Sequence, residues 1–201
     1  MTAIKSLLLR SAIRSGYYPS LWFSRAMWLL GRWHWWDQVE DGLLFGAVPS
    51  RRELRQLATL GVGAVVNLCE EFDGHTRELA DAGMVQLHLP TLDYHCPTEN
   101  DLVRGISFIL EHRSATTSVY VHCKAGRGRS AIMVLCYLMA AHGIDAREAY
   151  TRVKVARPHV TRGLYDQPGV RAIESRVRAG EWSHDAAAPV RGSKKPTSKL
   201  R

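Results

Sequence analysis

Thirteen consecutive residues, Val119-Tyr-Val-His-Cys-Lys-Ala-Gly-Arg-Gly-Arg-Ser-Ala131, constrain the fold of this chain more than any other stretch. A β-rich run, Ser118 to His122, meets a short glycine-containing turn that opens directly into an Ala/Leu/Met-rich helical pattern from about Arg129 to Ala141. A strand, a tight loop and a helix N-terminus in that order aim several backbone N–H groups at one point. The helix dipole adds positive potential at the same place, and the result is a nest for a tetrahedral anion. A cysteine at the mouth of such a nest, here Cys123, is held as thiolate by the same field. Arg129, six residues later, can fork onto two phosphoryl oxygens, which a lysine cannot do. The loop residues Lys124, Ala125, Gly126, Arg127 and Gly128 form the substrate-binding cradle between them.

The rest of the chain tells what kind of sheet carries this loop. Gly42 to Val48, Val62 to Leu68 and Val85 to Leu89 read as strands, and the second is a continuous β-branched run of the kind buried on both faces. Helices are predicted between them. Ser50-x-x-Glu53 starts one that runs to about Leu60, and Thr76 to Ala82 is a short one. Thr98-x-x-Asp101 starts another that reaches about His112. Gly143 stops the helix after the loop, Asp145-x-x-Glu148 caps the next, and Gln167 to Ala179 is a last amphipathic helix. Strands alternating with helices imply an α/β fold with a central, largely parallel sheet flanked by helices. Ligands of such sheets sit at the carboxyl ends of the strands, where Cys123 falls.

Charge separates the chain into three parts: a basic aromatic segment over 1–36, a catalytic domain over 37–184 and a basic tail over 185–201. Residues 1–36 contain five Lys/Arg and no acid, and residues 186–201 another five and no acid, whereas 37–185 carries 17 basic against 19 acidic residues. The body is therefore nearly neutral and unsuited to gripping nucleic acid, while the ends suit an anionic surface. The longest uncharged run in the first part, Ser15 to Ser24, is too short to span a bilayer. Its arginines, serines and crowded Trp/Tyr residues fit an organelle-targeting segment, a helix lying in a membrane interface, or a helix that packs on the domain. The tail has little to bury and is expected to be disordered. The four cysteines, Cys69, Cys96, Cys123 and Cys136, show neither paired nor zinc spacing, so free thiols in a reducing compartment are expected, with no metal and no cofactor.

A thiolate, an anion cradle and a guanidinium clamp within eight residues read as a phosphate-ester hydrolase working through a cysteinyl-phosphate, and such a mechanism needs a proton donor for the leaving oxygen. Asp93, in Thr-Leu-Asp-Tyr after the third strand, is the best-placed acid, and as carboxylate it can then activate the hydrolytic water. Ser130 can hydrogen-bond the Cys123 sulfur and ease its departure, or serve as a plain helix cap. His122 orients the loop or is a satisfied core residue. Cys96, three residues beyond Asp93, is an ordinary loop thiol or a reversible disulfide partner for Cys123.

His122-Cys-Lys-Ala-Gly-Arg-Gly-Arg-Ser130 resembles the His-Cys-x5-Arg-Ser/Thr signature of the cysteine-dependent protein-tyrosine and dual-specificity phosphatases. Within them the chain looks like the mitochondrial phosphatidylglycerophosphate phosphatase group and its plant relatives, from about Tyr17 to Glu174. The likeness rests on Tyr17–Leu21, Trp35–Val39, Leu43–Pro49, Asn67–Phe72, Val121–Ser130 and Ala156–Val160. It implies a lipid phosphomonoester substrate in phospholipid synthesis and work at a membrane surface; a monomer is expected, although nothing in the sequence bears on oligomeric state. In a eukaryote that surface is the matrix side of the mitochondrial inner membrane; otherwise it is the cytoplasmic face of the membrane. Glu70 and Glu71 match the family's acidic pair and are expected to support the loop. Lys124 and Arg127 place two further cations around the phosphate, a pattern also similar to the loop of phosphoinositide 3-phosphatases, unless both side chains point to solvent. Phosphoinositide or phosphoprotein hydrolysis, or an inactive phosphate-binding scaffold, are the competing expectations.

Overall fold

The computed structural model describes residues 22, 25–27 and 29–182 of the 201. Expectations for the tail, and for most of the basic N-terminal segment, lie outside the described residues. Five strands form one sheet in the order β1-β2-β5-β3-β4, with β1 spanning Trp36–Glu40, β2 Leu43–Gly46, β3 Val62–Cys69, β4 Val85–Thr91 and β5 Ser118–His122. All neighbours run parallel except β1, which pairs antiparallel with β2. The helices are α1 (Arg51–Thr59), α2 (Thr76–Asp81), α3 (Glu99–His112), α4 (Arg129–His142), α5 (Ala146–Ala156) and α6 (Pro168–Arg178).

The period-two alternation of strand side chains splits the core between the two faces of the sheet. Leu43, Phe45, Val66, Leu68, Val119 and Val121 point to one side and meet α3, α4, α5 and α6. Leu44, Val65 and Tyr120 point to the other and meet Leu54 and Leu57 of α1, with Leu79 of α2. The helix starts follow their caps. Ser50 and Glu53 form a complete capping box, and Thr98 and Asp145 accept from the N–H three residues on. Every residue of α4 from Arg129 to Ala141 is buried, which is why its sequence shows no polar face. Gly143, at φ 64°, ends it in a left-handed cap.

Strand β1 is absent from the sequence expectation, and with it the boundary between residues 36 and 37 moves. Trp35 and Trp36 are 4% and 5% exposed, Trp35 Nε1 donates to the Val48 carbonyl at 3.0 Å, and Trp36 meets Tyr120 edge-on. These tryptophans are core residues of the domain. Acid-free, aromatic composition is the same for a side chain that meets lipid and for one that meets a sheet, so composition alone does not separate the two. Further back, Arg25 bonds Glu53 at 2.6 Å and lies over the Trp35 ring, which ties the approach to β1 onto α1. Trp22, Leu29 and Leu30 remain more than 70% exposed.

Candidate active site

Strand β5 is flanked on both sides, and the loop that follows it, 123–128, is stretched between neighbours that hold its carbonyls. Val48 N–H bonds the Lys124 carbonyl at 3.2 Å, and Thr161 N–H bonds that of Arg127 at 2.9 Å. The buried guanidinium of Arg157 takes the two in between, Gly126 through Nε at 2.8 Å and Ala125 through Nη2 at 3.3 Å. Four consecutive carbonyls are thus turned outward. A peptide unit that faces its oxygen out faces an N–H in, so the loop interior presents donors and acquires a positive potential. Gly126 lies at φ 68°, and a Cβ there would come within 2.4 Å of the Gly46 carbonyl carbon, so glycine is required on both counts. Arg157 is itself fixed by Asp37 at 2.5 Å and the His34 carbonyl at 3.0 Å. Asp37 is on β1, so the strand that the sequence hid is the anchor of the loop.

Cys123 is 3% exposed. Burial opposes ionisation of its thiol. The Arg129 guanidinium, the Ser130 hydroxyl at 3.3 Å from Sγ, and the backbone N–H groups of Ser130 and Gly126 outweigh burial and hold it below the ordinary thiol range. Burial wins at the other three cysteines, whose thiols are pushed up, and all four are free. Cys69 makes the contrast sharp, because it also feels Arg129 yet lacks the loop N–H groups. Cys96 lines the pocket and packs toward Gly169. His122 is stacked on Tyr120, and burial pushes its pKa down to about 3 against an opposing hydrogen bond with the Cys123 backbone. It is a neutral core ring.

Arg129 is held in plane by a two-pronged pair with Glu71, Nη1 to Oε2 at 2.9 Å and Nη2 to Oε1 at 2.8 Å. Nη1 also donates to the Thr91 carbonyl at 2.7 Å, and Asp93 Oδ1 lies 3.0 Å from Nη2. Nε is buried without a partner among the described residues, a donor left for an oxyanion. Asp93 forms a second ion pair with Lys124, which is itself buried at 3% exposure. The acid therefore reaches the loop and bridges both of its inner cations. Tyr94, next to it, has φ 64° and is 84% exposed, an uncommon conformation for a bulky residue.

These groups surround a pocket of about 320 Å³ lined by Asp93, Cys123, Lys124, Arg127 and Arg129, with Cys96, Tyr94, Thr161 and Gln167 among the others. Lys124 and Arg127 thus border the cavity rather than pointing to bulk solvent. Arg157 as loop anchor has no local signal: it lies in the segment Ala156–Val160, but a buried arginine looks the same as an exposed one in a sequence. Glu71 was expected as loop support, and its partner is Arg129.

Comparison with known proteins gives the same picture from outside. The model of the "Dual specificity phosphatase, catalytic domain" family matches residues 43–166. The chain is 36% identical over 160 residues to the Arabidopsis thaliana phosphatidylglycerophosphate phosphatase PTPMT2, covering 78% of this chain and 70% of that one. It is 34% identical over 168 residues to the Homo sapiens phosphatidylglycerophosphatase and protein-tyrosine phosphatase 1, covering 79% and 84%. A crystal structure of PTPMT1 in complex with PI(5)P superposes with a TM-score of 0.67 at 30% identity, over 73% of this chain and 99% of that one.

Proposed function

The chain belongs to the dual-specificity phosphatase family and is a cysteine-dependent phosphatase, and from that premise we propose that its substrate is phosphatidylglycerophosphate, hydrolysed to phosphatidylglycerol in phospholipid synthesis. The observation that carries the chemistry is the outward-turned loop, with a lowered-pKa Cys123 at its base and Asp93 reaching across it. The lipid is supported by the names of relatives 34–36% identical over most of their length, and by the exposed Trp22, Leu29 and Leu30 beside Arg25.

In this reading Cys123 Sγ attacks phosphorus in line, forming S–P as P–O breaks. Asp93 gives its proton to the departing glycerol oxygen. The loop N–H groups and Arg129 carry the charge of the transition state. Asp93, now carboxylate, takes a proton from the water that attacks phosphorus, and the S–P bond breaks with Ser130 donating to the departing thiolate. A substrate phosphoryl group must displace Asp93 from Arg129 on entry, so the acid is withdrawn and then returned. No metal or cofactor is needed for any of these steps.

The enzyme acts at an anionic membrane surface, and in a eukaryote at the mitochondrial inner membrane; the acid-free, arginine-bearing N-terminal segment supports this. Among the described residues no helix is long and apolar enough to cross a membrane. The test is phosphate release by the full chain from phosphatidylglycerophosphate in mixed micelles and from a phosphotyrosine peptide. The lipid is expected to have the higher kcat/KM; the reverse ranking returns the enzyme to phosphoproteins.

A further inference from the structure

The three basic residues of the loop are not equivalent. Arg129 and Lys124 are both paired with Asp93, and Arg129 with Glu71 as well. Arg127 also lines the pocket, yet among the described residues it has no carboxylate partner. Its Nε donates to the His159 carbonyl at 3.0 Å, and its Cζ lies over the Trp33 ring at 5.0 Å from the centroid. Trp33 in turn stacks on the His159 ring, with centroids 4.4 Å apart and planes within 3°. Burial pushes the His159 pKa down to about 3, with Arg157 and Arg127 adding to the effect, so this ring is neutral and does not repel the guanidinium beside it.

A guanidinium on an aromatic face keeps its outer N–H groups available, because the attraction uses its flat side and not its donors. An arginine free to rotate loses entropy on binding an anion; one already held on a ring loses less. Trp33 does not line the pocket, and it lies ten residues ahead of the family-matched region.

We propose that Trp33 is a positioning residue that holds Arg127 at the pocket mouth, where Arg127 receives a second anionic group of the substrate. The monoester enters the cradle between Cys123 and Arg129, and the second group, the diester phosphate in a phosphatidylglycerophosphate, meets Arg127. For its natural substrate this rests on the reading above. It makes the approach to β1 part of the specificity apparatus of a domain that begins after it.

The experiment uses the full chain and compares kcat/KM on phosphatidylglycerophosphate in mixed micelles with kcat/KM on p-nitrophenyl phosphate, which has one phosphate. Trp33→Ala is expected to lower the lipid-to-aryl ratio about tenfold, through KM for the lipid rather than through kcat. Trp33→Phe, which keeps a ring and guards against a folding defect, is expected to restore most of the ratio. Arg127→Met lowers the ratio similarly, and the double variant is no worse than Arg127→Met alone. Equal losses on both substrates, or additive losses in the double variant, overturn the assignment and leave Trp33 a packing residue. If the wild-type chain shows no preference for the lipid, the lipid reading has failed. The Trp33 assignment is then judged with the same variants on a soluble inositol bisphosphate, where an unmoved ratio refutes it.

Discussion

Two loops meet at the pocket, and they are built on opposite plans. The loop of Cys123 is over-determined: its carbonyls are held by Val48, Arg157 and Thr161, and Cys123, Lys124 and Arg129 are each no more than 3% exposed. The loop of Asp93 lies on the surface. Tyr94 and His95 are exposed, Tyr94 sits at positive φ, and Asp93 reaches inward through ion pairs to Lys124 and Arg129. The nucleophile and oxyanion donors gain from being fixed, because reorganising them in the transition state would add to the barrier. The acid must be displaced when phosphate enters and must return afterwards, which a loop of few buried contacts allows.

The contrast can be broken by substitution, starting where the effect is largest. Cys123→Ser removes the thiolate from an otherwise intact cradle and is expected to cut turnover by about 10⁵–10⁶-fold, with tungstate binding retained. Residual turnover near the wild-type rate would rule out a cysteinyl-phosphate. Asp93→Asn is expected to cost about 10²–10⁴-fold. The loss should be greater for the lipid, whose alkoxide leaves poorly, than for p-nitrophenyl phosphate; equal losses point to a different acid. Arg157→Met tests the rigid plan without touching a pocket-lining residue. It takes the buried cation from Asp37, which keeps only His34 at 2.7 Å, and frees two loop carbonyls, so urea titration should show a loss of about 3 kcal/mol. Turnover of the still-folded fraction should fall about tenfold, and a stability loss without a fall in turnover would mean the loop holds itself.

The smallest effect is a shift in pH dependence. The Ser130 hydroxyl is one of the groups that lower the Cys123 pKa, so Ser130→Ala raises it. The thiolate is the active form, and the acidic limb of the kcat/KM profile should move to higher pH, with the variant most impaired at low pH. A limb that stays in place would assign the stabilisation to Arg129 and the backbone N–H groups.

Much of this was legible because local chemistry is written locally. The capping residues Ser50, Thr98 and Asp145 start helices where they were expected to, since each satisfies an N–H three residues away. Cys123, Arg129 and Ser130 come together because they are at most seven positions apart along loop and helix, and Asp93 is legible from its place after a strand end. What failed was non-local. For Trp35 and Trp36 the sequence leaves targeting, membrane contact and packing on the domain open, and they pack on a sheet, because burial depends on which surface a tryptophan meets.

The sequence by itself determined a strand, an anion-binding turn and a helix, and therefore a phosphate chemistry run by Cys123, Arg129 and Asp93. Tertiary structure alone decided what holds each arginine in place and gave Arg127 and Arg157 their roles. Arg127, Arg129 and Arg157 are chemically identical, and they differ only in the partners the fold brings to them. Those partners are an aromatic face from Trp33, a carboxylate fork from Glu71, and a set of loop carbonyls closed off by Asp37. The reason is distance along the chain: Arg157 and Asp37 are 120 residues apart, and Arg129 and Glu71 are 58 apart. No local pattern records contacts made across such spans. They exist once β1 closes on β2 and β5 is seated between β2 and β3.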